Sequence, residues 1–95
     1  MTRINLESPE KEHLAELLKA SIQSQLKALA IGIEKTKKKI QGFETQFQMP
    51  SVQFHQEYLK GNMGDAEAVM EWAGEIETLR KLERDYVLLI EAEVC

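Results

Sequence analysis

The sequence predicts an all-α fold: two long helices folded back as an antiparallel hairpin around a short corner helix. Three observations carry this. Apolar residues recur at steps of three and four along most of the chain. Turn-forming residues cluster at only two places, around residues 48–51 and 61–65. Leu, Ala, Glu, Lys and Gln, all good helix formers, dominate, whereas there are only two prolines and five glycines to interrupt them. Over 95 residues this describes one helical domain.

The first helix starts at Ser8-Pro9-Glu10-Lys11-Glu12. Ser8 suits the N-cap, Pro9 the first helical position, and Glu10 and Glu12 the positive end of the helix dipole. Leu14, Leu17, Leu18, Ile22, Leu26, Leu29, Ile33, Ile40, Phe43 and Phe47 follow, and from Ile22 onward they keep a heptad seam, with Thr36 as its weak position. One helix over about 9–47 is expected, roughly 58 Å long at ~1.5 Å per residue. A break near Gly32 is the alternative.

Gln48-Met49-Pro50-Ser51 ends that helix, because a residue before proline is pushed out of the helical region. Val52, Phe54, Tyr58 and Leu59 make a short helix over about 51–60, opened by Ser51 or Pro50 and closed by Gly61 as a left-handed stop. Gly64 is a second free joint, and Asp65 is expected to cap a last helix over about 66–93, with Glu67 in its first turn. The seam of that helix is Val69, Trp72, Ile76, Leu79, Leu82, Tyr86, Leu89 and Ile90. Trp72, with the small Ala73 beside it, is the expected anchor where the three helices meet. Phe47, Phe54, Tyr58, Gly61, Gly64, Asp65 and Trp72 together form the predicted structural corner.

If Phe47 lies near Ala66, the numbers of facing residues add to about 113, which sets Lys37 near Ile76 and Ile22 near Glu91. Residues 9–17 then have nothing opposite, yet Leu14, Leu17 and Leu18 sit around that region. Each leucine would gain about 1.5–3 kcal/mol from full burial, an upper estimate. The natural cover is a second copy, two hairpins making a four-helix-type bundle of two-fold symmetry; a different protein is the other cover. Leu14, Leu17, Leu18 and Ile22 are therefore the predicted partner-binding residues. A tip that curls back, or leucines simply left exposed, is the remaining alternative.

Other functions find little support. A net charge of −4 lacks the basic excess of a nucleic-acid binder. Thr2-Arg3 begins no signal-type apolar run, and no stretch approaches the roughly 20 apolar residues of a membrane span. The single cysteine, Cys95, makes no internal disulfide and fits a reducing compartment, so a cytoplasmic location is expected. His13 and His55 lack partners at metal-ligand spacing, and the acids of the last helix lack the Glu-x-x-His pairs of a di-metal bundle. Gly61 and Gly64 lack the lysine and strand of a phosphate loop. No cofactor, no metal and no enzymatic role is expected. Lys35, Lys37, Lys38 and Lys39 spread around more than half of the helix and read as a solvated face. Their cross-helix pairs with Glu75 and Glu77 would be worth under ~1 kcal/mol each.

Between residues 43 and 79, Phe43-Glu44, Phe47, Met49, Phe54, Tyr58, Gly61, Gly64-Asp65 and Glu71-Trp72 form a spaced pattern. It resembles one found in small prokaryotic all-helical proteins, some encoded beside a toxin and treated as its antitoxin component. The pattern spans about two-fifths of the chain and consists of structural residues. Gln48 stands where the pattern commonly has glycine and Pro50 where it has serine or threonine, so the corner geometry departs there. The resemblance implies an interaction module that neutralises a protein encoded by a neighbouring gene. Binding would be stoichiometric, an acidic and partly apolar helical surface covering a basic active site. Residues 1–7 are too short for a DNA-binding segment, so action on protein is expected. The alternative is a structural homo-oligomer with no inhibitory role.

Overall fold

The computed structural model describes residues 9–94 and contains three helices in the order α1 (Pro9–Phe47), α2 (Ser51–Leu59) and α3 (Glu67–Val94). The lead-in 1–7, the Ser8 cap and the Cys95 thiol lie outside the described residues. α1 and α3 pack on one another along their length, and α2 packs on α3 at the closed end. The molecule measures 60 × 23 × 21 Å, close to the length of α1 alone.

α1 runs unbroken through Gly32. A Cβ built there would lie 3.4 Å from a terminal methyl of Leu82, an ordinary contact distance, so Gly32 faces α3 without ending the helix. The register follows from three cross-helix contacts: Lys39 with Glu75, Gly32 with Leu82, and Gln23 with Glu93, whose numbers add to 114–116. This lies within a few residues of the expected pairing. It leaves residues 9–19 of α1 facing no described residue of α3.

The helix ends explain the corner. Gln48 takes φ 51°, and the Met49 N–H reaches back to the Glu44 carbonyl at 3.2 Å. That is a Schellman stop built on a residue with a Cβ, where glycine is ordinarily used. α2 ends in the same motif with the usual residue. Gly61 has φ 80°, its N–H donates to the Tyr58 carbonyl at 3.0 Å, and the Asn62 N–H donates to the Glu57 carbonyl at 2.9 Å.

Two capping expectations change. Pro50, not Ser51, is the N-cap of α2 and offers no side-chain cap bond. Glu44 replaces it: its carboxylate accepts the Ser51 N–H at 2.8 Å from the last turn of α1. For α3, the Ala66 carbonyl accepts the first intrahelical bond, from the Met70 N–H at 3.1 Å. Asp65 therefore stands one residue outside the capping position.

The core sits at the corner rather than along the hairpin. Ile40, Phe54, Val69, Trp72, Ala73 and Ile76 form the buried cluster, flanked by Phe43, Phe47, Met49, Tyr58, Met63 and Leu79. Further along the arms, Leu26 is the one buried apolar side chain among the described residues, with Thr36 buried at the weak position of the seam. Ile22, Leu29, Ile33, Leu82, Tyr86 and Leu89 are only half-buried. Two helices alone cannot enclose a seam on all sides, so this follows from the architecture.

Candidate functional site

Trp72 organises the corner. Its ring is fully buried and lies 3.8 Å from the fully buried Phe54 ring, nearly parallel at 5°. Phe47 and Phe43 stack on the same indole at 5.4 and 6.0 Å. Tyr58 tilts against Phe54 at 5.7 Å. α1 supplies two rings, α2 two and α3 one, so the stack ties the three helices together. The indole N–H donates to the Ser51 hydroxyl at 3.2 Å, which gives Ser51 a second task beside the Glu44 contact. Of the predicted corner residues, Phe47, Phe54, Tyr58 and Trp72 meet directly. Gly61 and Gly64 are the left-handed joints around them, at φ 80° and 75°.

The predicted partner-binding residues lie at the other end of α1. Leu17 and Leu18 are 54% and 56% exposed, while Leu14 and Ile22 are half-buried. Leu14, Leu17 and Leu18 belong to the stretch with no described α3 residue opposite. Ile22 lies level with the last turn of α3. Val87, Leu88 and Ile90 add exposed apolar surface on that last part of α3.

The two flanks of the hairpin differ. One carries an open groove of about 840 Å³, lined from α1 by Lys39, Gly42 and Gln46 and from α3 by Glu71, Gly74 and Glu75. Lys39 and Glu75 pair across it at 3.7 Å. Gly42 and Gly74 sit level with one another, and a Cβ at either would meet nothing within 4 Å. A mid-helix glycine costs about 1 kcal/mol against alanine, so packing within this chain does not account for either. The other flank has a smaller apolar trench of about 330 Å³ between Ala30, Ile33 and Lys37 of α1 and Glu83, Tyr86 and Val87 of α3. Glu77, expected beside the lysines, instead faces His55 at 3.6 Å and Arg80 at 3.4 Å.

Charge is segregated between the helices. α3 bears eight acidic and three basic side chains, and α1 five acidic and seven basic ones, so α3 is the acidic face of the molecule. Among the described residues no group of three or more His, Cys, Asp or Glu side chains is placed to hold a metal ion, and no helix is long and apolar enough to cross a membrane. What the arrangement offers is surface: an apolar tip, a half-open seam and two helices of unlike charge. No family model matches the chain, and no curated protein or solved structure matches it.

Proposed function

We propose that this chain is a protein–protein interaction module that pairs with itself through its hairpin and engages a partner protein with the free end of α1. The observation that carries the reading is that end: an ordered helix presenting Leu17 and Leu18 to solvent with no described residue of α3 across from it. Leaving large apolar side chains on an ordered helix forgoes their burial, and a docking partner supplies it. The acidic excess of α3 favours a partner with a basic surface. In keeping with the antitoxin-like pattern of residues 43–79, the partner is the product of a neighbouring gene, neutralised by stoichiometric binding.

The test is co-expression with that gene product, followed by titration calorimetry on the purified pair. A defined stoichiometry and loss of the partner's activity support the reading. Leu18→Glu should weaken binding at least tenfold while leaving the melting temperature of the free chain unchanged, since that position is already exposed. A neighbour that neither binds nor is inhibited removes the neutralising role. The half-buried seam along the arms would then favour the second reading, a structural homo-oligomer.

A further inference from the structure

We propose that the flank carrying Gly42 and Gly74 is the face by which two copies of this chain pair, with α1 of each lying antiparallel on α3 of the other. The proposal rests on the reading that the hairpin pairs with itself, and specifies the face and the symmetry.

Charge selects the arrangement. On this flank α1 presents Lys39 and α3 presents Glu71 and Glu75. Lys35 lies one turn from Lys39 along the same side of α1. A two-fold axis along the hairpin sets α1 over the partner's α3, lysine edge on glutamate edge. An axis across the hairpin would set lysines on lysines and glutamates on glutamates. An isologous contact that brings opposite charges together is self-complementary.

Geometry agrees at a second level. An axis along the hairpin preserves the heights of facing residues, so Lys39 comes level with the partner's Glu75. Gly42 likewise comes level with the partner's Gly74, and the four glycines of the pair fall at one height. Neither glycine shapes packing inside its own chain, since the space above each is open. Their missing side chains let a second helix approach closely there.

The tip of α1 points the same way. Leu14 precedes Lys39, and Leu17 precedes Gly42, by an interval that brings an α-helix within about 20° of seven full turns at ~100° per residue. Both leucines therefore share the flank that bears the groove. In the proposed pair the two tips lie at the same end, where they present a joint apolar surface to a docking partner.

The experiment is light scattering after size exclusion on the full chain. Wild type should elute at twice the 10.9 kDa chain mass. Lys39→Glu and Glu75→Lys should each weaken pairing at least tenfold. Mixing the two variants should restore a dimer containing one of each, which an ion pair confined within one chain would not do. Gly42→Gln, a helix-favouring change, should also give the single-chain mass, whereas Val87→Glu on the opposite flank should leave the dimer intact. A wild-type chain at 10.9 kDa at high concentration overturns the self-pairing and this proposal together. A wild-type dimer indifferent to Lys39→Glu, Glu75→Lys and Gly42→Gln overturns this proposal alone. So does one that only Val87→Glu dissociates, or a mixture that forms no mixed dimer.

Discussion

Trp72 shows how much of the fold depends on one side chain. Three phenylalanines from two other helices stack on it, and its N–H is held by Ser51. Truncation to alanine should cost about 3–5 kcal/mol, the range for large aromatics lost from cores; urea unfolding followed by circular dichroism measures it. Ser51→Ala should cost about 1–2 kcal/mol in the same assay, because the indole N–H loses its acceptor. The two helix stops make an opposed pair. Gln48 occupies a left-handed position that burdens a residue with a Cβ, so Gln48→Gly should stabilise the protein by about 1 kcal/mol. Gly61 occupies the same region without that burden, and Gly61→Ala should destabilise by about 1–2 kcal/mol. The anchor is legible in the sequence because the lone tryptophan sits in a seam, between Val69 and Ile76, beside a small residue. Glu44 reaching across the turn to the Ser51 N–H is not. Both residues are polar, and only the turn between them brings them together.

At the scale of the element, the helices are legible because strong punctuation brackets them. Pro50 and Gly61 set the bounds of α2 to within a residue, and the heptad spacing carries α1 past Gly32. Burial is less legible. A seam of leucine and isoleucine reads as core, yet most of it is half-buried, because periodicity names the inward face without saying how many helices cover it. The level match of Gly42 and Gly74 needs a register known to a residue or two, which loop length alone does not supply. α1 should also be unequal along its length. Its last three turns are pinned by the corner cluster, whereas residues 12–18 are supported by their own helical hydrogen bonds and by any docked partner. Amides in residues 12–18 of the free chain should exchange with solvent roughly tenfold faster, or more, than those in residues 37–47. Equal protection would mean that the tip is already covered.

At the scale of the molecule, a radius of gyration of 19.8 Å contrasts with about 12 Å for a compact domain of this length. Much of the apolar surface is therefore held by a single neighbouring helix. Stability should depend on association: the melting temperature should rise with chain concentration, and high salt should reduce that rise where lysine and glutamate edges meet. A melting temperature independent of concentration would argue against pairing. The same elongation separates the corner from the tip, about 39 Å along α1 from Phe43 to Leu17. Because the chain's single indole is sealed inside the corner, its fluorescence is a natural gauge of that end alone. Capture of a partner by the distant leucines should leave the emission maximum where it was. Loosening of the hinge between the arms would shift it to the red, so one optical signal separates docking from unfolding without an added dye.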